Sequence, residues 1–159
     1  MEKAGREIEE ETDSGDVKRW INTALSQISR MDNNQGSRIL ENCGRECAKS
    51  HNLSADAEKI RNGVEDQNDL DLLFDEYKDK IYHHSPRLYK KGKTIYLAYH
   101  QCGCPLVADD NVDDPFFCHC TTGYTKERFE TLFDRPVQVV LKSSILRGDK
   151  ICLQIISIE

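Results

Sequence analysis

Six of the seven cysteines in this chain of 159 residues fall into three close pairs, and the last two pairs flank a short acidic segment. The pairs are Cys43 with Cys47, Cys102 with Cys104, and Cys118 with Cys120. A fold that closes the acidic segment into a loop places four thiols at the mouth of that loop. Four thiols suit a soft ion with tetrahedral coordination, such as zinc. The sequence therefore predicts a thiolate metal site formed by the last two pairs.

The sequence leaves the identity of the ion open, because zinc and an iron–sulfur cluster use the same thiolate ligands. Alternate residues of an extended segment share a face, so both thiols of a C-x-C can reach one ion if the backbone allows it. In the first C-x-C, Gly103 gives the backbone between the thiols this freedom. His100 and His119 neighbour the two pairs and are further candidate ligands, with surface or capping roles as the alternative. The acidic segment 109–114 is expected to be a solvated loop. It lacks the regular ligand spacing of a calcium loop, which makes a hard cation the weaker alternative.

Cys43 and Cys47 lie four residues apart, so a helix places them one turn apart on one side. Three roles are open for them: helix packing, additional metal ligands, or redox and nucleophilic thiols with Arg45 nearby to favour the thiolate. Gly44 costs a helix about 1 kcal/mol relative to alanine. We therefore expect another segment of the chain to approach Gly44 closely.

Length and charge limit the classes of function. A chain of 159 residues forms one domain of ordinary size. Acidic residues outnumber basic residues by 28 to 22, which argues against direct binding to nucleic acid phosphates. The sequence contains neither the apolar segment of a signal peptide nor a membrane span, so we expect a cytoplasmic protein. Paired cysteines in a reducing compartment are better explained as metal ligands or redox thiols than as disulfides.

The hydrophobic pattern predicts an α+β fold in which N-terminal helices pack with a small antiparallel sheet. Residues 1–13 are charged and are expected to be flexible, and residues 14–159 form the domain. Within it, 14–85 is helical and 94–159 mixes strands with a helix. The first predicted helix begins at Ser14. The other predicted helices span Ser37–Lys49, Ser54–Gly63, Asn68–Ile81 and Thr122–Phe133, and Ser54 is expected to cap the second of these. The predicted strands are Thr94–Tyr99, Val137–Leu146 and Lys150–Ile158, with turns at 90–93 and at Gly148-Asp149.

Motifs in the last third of the chain resemble the vinyl-reductase-type small-molecule-binding domain, which also forms the sensor module of phenol- and xylene-responsive activators. The matching motifs are Asp114-Pro115-Phe116-Phe117-Cys118, Gly123-Tyr124, Phe133, Arg135-Pro136-Val137, Gly148-Asp149 and Cys152. The resemblance implies a mixed α/β architecture shared with a subunit of a vesicle-tethering complex.

The same resemblance implies a structural zinc near the ligand pocket. Cys118 and Cys152 stand where two zinc-binding cysteines of that family stand, whereas Leu141 and Ser144 occupy the other two ligand positions. Neither Leu141 nor Ser144 supplies a carboxylate or a thiolate. This departure from the family pattern suggests the hypothesis of a rewired metal site, in which Cys102, Cys104 and Cys120 complete the coordination. Cys152 lies between Ile151 and Leu153, so the alternative to a metal-binding role is that it packs as a small buried apolar residue.

The whole chain is similar to a group of microbial proteins that combine four motifs. Here they are Cys43 to Ala48, Cys102 to Val107, Cys118 to Tyr124, and Ser144 to Cys152. This likeness brings no established activity.

Three functions from different classes follow. The first is a zinc-containing sensory module that binds a small apolar or aromatic molecule in a pocket and reports binding through the N-terminal helices. The expected pocket residues are Tyr96, Phe116, Phe117, Tyr124 and Phe129. The second is an enzyme: a hydrolase of the thiazoline-carboxylate type using a zinc-bound water, or a redox or iron–sulfur protein. The third is a protein-interaction subunit, with homodimer formation expected.

Overall fold

The computed structural model describes residues 14–159. The prediction that 1–13 are flexible lies outside the described residues. Within residues 14–159 the chain forms six α-helices and one four-stranded antiparallel sheet, which confirms the α+β fold. The helices are α1 (Ser14–Ile28), α2 (Gln35–Ser50), α3 (Leu53–Gly63), α4 (Leu70–Tyr82), α5 (Pro105–Ala108) and α6 (Cys118–Phe133). The strands are β1 (Leu88–Lys91), β2 (Thr94–Tyr99), β3 (Val137–Ser143) and β4 (Cys152–Ile158).

The helical first half follows the sequence prediction closely, except at the start of α3. Asp69 caps α4 by accepting hydrogen bonds from the backbone amides of Asp71 and Leu72, each at 3.0 Å. Ser54 was expected to cap α3 and does not. Asn52 precedes that helix in the left-handed conformation, and the Ser54 hydroxyl donates instead to a carboxylate of α6.

The sheet has the strand order β1-β2-β4-β3, with every neighbouring pair antiparallel. Strand β1 was not predicted, because Lys90 and Lys91 were assigned to a turn. The turn is shorter and contains Gly92, whose positive φ of 58° favours glycine. Strands β3 and β4 are also shorter than predicted, since residues 145–147 form a 3₁₀ turn that ends at Gly148 with φ of 93°.

Helix α6 lies at the centre of the domain and packs on the sheet, on α2 and on α3. The main core fills the space between these helices, α4 and the sheet. Its largest fully buried side chains are Tyr77, Phe129, Phe133, Leu73, Leu88, Ile95, Leu97, Leu132 and Ile156. This core holds the face of α6 against the strands and fixes the position of the residues at its N-terminal end.

A second, smaller core joins α1 and α2 to the cysteine-containing segment 102–117. Its buried members are Leu25, Leu40, Val112 and Phe117, and Cys104 and Cys120 pack against it. Helix α1 also binds the segment through polar contacts. The Asn22 side chain donates to the backbone oxygen of Asn111 at 2.9 Å, and the Lys18 ammonium binds Asp110 at 3.1 Å. The cysteine-containing segment therefore rests on the N-terminal helix.

Candidate functional site

The start of α6 decides where the second C-x-C pair points. The helix was expected to begin at Thr122 and begins one turn earlier, at Cys118. Asp114 accepts a hydrogen bond from the Phe116 amide at 2.9 Å, and Pro115 opens a 3₁₀ turn that leads directly into α6. Residues two apart on a helix lie about 200° apart around its axis. Cys118 and Cys120 consequently leave α6 on different sides, contrary to the extended C-x-C that the sequence suggested.

Three cysteines from different elements line one small cavity between the N-terminal end of α6 and the β3–β4 connection. They are Cys102, Cys118 and Cys152. The cavity has a volume of about 20 Å³, and its remaining lining residues are Val107, Phe117, Thr121, Leu141, Ser144 and Leu146. A volume of this size holds one water molecule or one ion. The first members of both C-x-C pairs therefore meet Cys152 at a space of ionic dimensions.

Polar contacts fix two of the three sulfur atoms in the cavity wall. The Cys118 Sγ and the Ser144 Oγ lie 3.1 Å apart, and the Ile145 amide donates to the Cys152 Sγ at 3.3 Å. Ser144 is fully buried, and the β3–β4 register shifts just before it, between Leu141 and Ser143. The shift is a strand irregularity of the type that re-aims side chains beside functional sites. Ser144 was noted in the sequence as lacking a metal-binding thiolate and lies in the cavity wall as a hydroxyl.

The other four cysteines lie near one another, with Cys104 and Cys120 packed against the second core. Burial, followed by the neighbouring thiols of Cys104, Cys47 and Cys43, raises the pKa of the Cys120 thiol to about 12. Cys104 also contributes to the raised pKa of Cys47. The Cys47 Sγ lies 3.6 Å from the Nδ1 of His51. The cysteines thus form a set of three that lines the cavity and an adjoining set of four, which meet where Cys104 lies beside Cys102 and Cys120 beside Cys118.

Arg45 does not serve the thiolate role expected for it. Its guanidinium binds Glu130 at 2.7 Å and Glu127 at 3.2 Å, which joins α2 to α6 by ion pairs. The pKa of the nearby Cys47 is raised, chiefly by burial. Arg45 is therefore a structural contact between helices.

Burial disfavours the thiolate form of two of the cavity thiols. Burial is the main cause of a raised pKa for Cys102 and for Cys118. Within residues 14–159, no group of three or more His, Cys, Asp or Glu side chains is placed to hold a metal ion as it stands. Metal binding at either cysteine set would therefore require thiol deprotonation and side-chain rotation. The predicted metal site, zinc or iron–sulfur, stays a prediction.

The five aromatic residues predicted to line a ligand pocket lie in separate surroundings. Tyr96 stacks on Tyr89 at the sheet surface, with ring centroids 4.8 Å apart. Phe129 belongs to the main core, and Tyr124 lies against the Arg128 guanidinium and His51. Phe116 and Phe117 belong to the second core, and of the five only Phe117 lines the cysteine cavity. The structure does not bring them together around one space.

The predicted histidine ligands and the acidic segment have structural contacts. His119 packs edge-on against Phe116 at 4.8 Å, and burial lowers the pKa of its imidazole. His100 is exposed. In the acidic segment, Asp110 and Asp113 bind Lys18 of α1, at 3.1 and 3.8 Å. The segment is thus a docking contact for α1 as well as a connection between the cysteine pairs.

Sequence reasoning missed Arg128, the one arginine that is almost completely buried within residues 14–159, at 3% exposure. Its guanidinium donates to the hydroxyl of Tyr82 at 3.0 Å and to that of Tyr99 at 3.2 Å. No ion pair among the described residues involves it. Nothing in its sequence spacing distinguishes it from the exposed charges of α6. Tyr99 lies opposite Cys152 in the β2–β4 register, which places this polar cluster next to the cysteine cavity.

The fold and site define an α+β domain with two cysteine sets around its central helix. Residues 3–159 match a protein family described as a family of unknown function, DUF6144, and the chain belongs to this family. No curated protein matches the chain. Among residues 14–159, no helix combines the length and apolar character needed to cross a membrane.

Proposed function

We propose that this protein is a metal-responsive module that binds one zinc ion between Cys102, Cys118 and Cys152. The observation that carries the proposal is the cavity of about 20 Å³ that these three cysteines line. Three thiols at a space of ionic size match the preference of zinc for thiolate ligands. Cys118 and Cys152 are also the two positions at which the vinyl-reductase-type resemblance implies zinc ligands.

The donor set favours a single ion over a cluster. Zinc takes four ligands in a tetrahedron, and a water molecule or the Ser144 hydroxyl beside Cys118 is available for the fourth position. Iron–sulfur clusters are held by four cysteines, and this cavity offers three. When bound, the ion would link the 102–104 segment to α6 and to β4.

The cavity volume favours a metal ion over an organic molecule as the ligand of the proposed module. Pockets for organic ligands occupy about 300–1,000 Å³. A space of about 20 Å³ cannot admit an aromatic molecule. A larger, open depression of about 420 Å³ lies beside α1, but its lining is polar and unsuited to an apolar ligand. The metal ion itself is therefore the proposed signal, and a hydrolase is disfavoured because no room remains beside the ion for a substrate.

The segment that carries Cys102 provides a route from the ion to the N-terminal helix. Val112 of the same segment packs in the second core with Leu25 of α1, and Asn22 holds the backbone of Asn111. Deprotonation and rotation of Cys102 towards the ion would shift this segment. We expect the shift to change the environment of α1, which is the two-state response that a sensory module needs.

Zinc titration of the reduced protein tests both parts of the proposal. Trp20 is the single tryptophan, lies on α1 and is 74% exposed, so its fluorescence reports on that helix. We expect zinc to bind the wild type and change Trp20 emission. The Cys102→Ser/Cys118→Ser variant should lose both the cavity ion and the emission change, while Cys43→Ser, with an exposed cysteine outside the cavity, should retain them. Unchanged zinc binding in the double variant would refute the proposal.

A further inference from the structure

The two members of each C-x-C pair have different surroundings, and the difference follows the same order in both pairs. The first member of each pair, Cys102 or Cys118, lines the small cavity. The second member, Cys104 or Cys120, packs instead against the second core beside α2. Helical geometry separates Cys118 from Cys120 by about 200° around α6. Two sets of thiols result, although the sequence suggested a single cluster.

We propose that Cys43, Cys47, Cys104 and Cys120 form a second, separate site for a soft metal ion, bound by four thiolates. Zinc is the divalent ion of this class, and a closed tetrahedral set of four cysteines is a common structural zinc arrangement. This inference goes beyond the cavity site and does not depend on it. The four thiols come from α2, the residue before α5, and α6, so an ion here would cross-link three elements.

The crossing of α2 and α6 brings the two helices close enough for shared ligands. A methyl group on Gly44 would lie 1.8 Å from the backbone oxygen of Cys120, and one on Gly123 would lie 1.9 Å from that of Glu41. Backbone contact on both sides is possible only because both residues are glycines. Gly44 lies between Cys43 and Cys47, so both cysteines flank the point at which the backbone of Cys120 touches α2.

Cys120 packs against the second core and has other thiols among its neighbours. After burial, the three largest influences on its pKa are the thiols of Cys104, Cys47 and Cys43. Cys43 and Cys47 are one turn apart on α2, a spacing that lets two side chains on one helix face reach the same ion. The carboxylates of Glu127 and Glu130 are bound by Arg45 and are not free to compete as ligands. Four thiols, with the His51 imidazole 3.6 Å from the Cys47 sulfur, favour soft and borderline ions over magnesium or calcium.

Cobalt(II) titration under anaerobic, reducing conditions tests the second site, because tetrahedral cobalt–thiolate centres have strong visible and near-ultraviolet absorption. We expect the wild type to bind about two cobalt ions per chain, one at each cysteine set. Cys104→Ser/Cys120→Ser and Cys43→Ser/Cys47→Ser should each bind about one ion and lose the same absorption bands. The matched control, Cys102→Ser/Cys118→Ser, should keep those bands. Circular dichroism checks that every variant is folded, and the α2 variant tests the site without altering α6.

The outcomes separate the two sites. Loss of all cobalt in both the Cys104→Ser/Cys120→Ser and the Cys102→Ser/Cys118→Ser variants would mean one shared site and overturn the inference. Unchanged binding in Cys43→Ser/Cys47→Ser would overturn it as well. One ion per chain that is retained only when Cys104 and Cys120 are intact would support the second site and refute the cavity site. One ion per chain that depends only on Cys102 and Cys118 would support the cavity site and refute the second site.

Discussion

Cys120 shows how a single side chain is determined by its surroundings and not by its sequence neighbours. In the sequence Cys120 is paired with Cys118 in a C-x-C motif. In the fold its neighbouring thiols include those of Cys104, Cys47 and Cys43. Burial and three nearby thiols disfavour its thiolate, because a charged sulfur loses hydration and is repelled by other thiolates. At neutral pH its thiol is therefore protonated in the metal-free protein.

The raised pKa of Cys120 predicts a loss of stability in alkaline solution. Its folded pKa of about 12 exceeds the ordinary thiol value of 9.0, so unfolding releases a proton between these values. The stabilising contribution is present below about pH 9 and is lost as the pH rises towards 12. Urea unfolding of the metal-free protein at a series of pH values measures this loss. We expect a smaller loss in Cys120→Ser than in wild type, and an identical pH dependence would contradict the assigned environment.

At the scale of elements, the crossing of α2 and α6 is the contact that brings Cys43 and Cys47 to Cys120. Ion pairs support it on either side, between Arg45 and Glu130 at 2.7 Å and between Lys126 and Glu41 at 2.8 Å. The contact itself is a close approach of two backbones at Gly44 and Gly123. The expectation that another segment would approach Gly44 is thereby confirmed.

Substitution of Gly44 by alanine tests this crossing. The new methyl group would lie 1.8 Å from the Cys120 backbone oxygen, so the helices must separate. Overpacking of this kind costs about 1–3 kcal/mol or more in the free energy of unfolding. Gly63→Ala is the matched control, since nothing lies within 4 Å of its added methyl group. Its stability should stay within about 1 kcal/mol of wild type in chemical denaturation. Equal stability of the two variants would show that the helices do not touch at Gly44.

Elements with a strong hydrophobic period could be predicted, whereas elements defined by local capping could not. The apolar stripe of α1 and the β-branched run of β2 were recognised from sequence. Strand β1 was missed because Lys90 and Lys91 have the charge expected of a turn, although cross-strand pairing with β2 holds them extended. The start of α6 was missed because Asp114 and Pro115 initiate a turn that continues into a helix.

At the scale of the whole molecule, the sequence predicted an α+β domain, and the structure confirms that class. The cysteine pattern identified the residues of interest but not their grouping. Spacing alone cannot show which distant residues each cysteine meets, and in the fold Cys102 has Cys152 as a neighbour whereas Cys104 has Cys47. The vinyl-reductase-like architecture and homodimer formation stay predictions.

X-ray absorption at the zinc edge of the zinc-loaded protein tests the central claim most directly, because it identifies the atoms bound to the ion. Zinc–sulfur distances are about 2.3 Å, whereas zinc–nitrogen and zinc–oxygen distances are about 2.0–2.2 Å. Zinc held by Cys102, Cys118 and Cys152, and by the four-cysteine set, predicts a first shell dominated by sulfur at the longer distance. A shell of nitrogen and oxygen without sulfur would contradict thiolate metal binding at both sites.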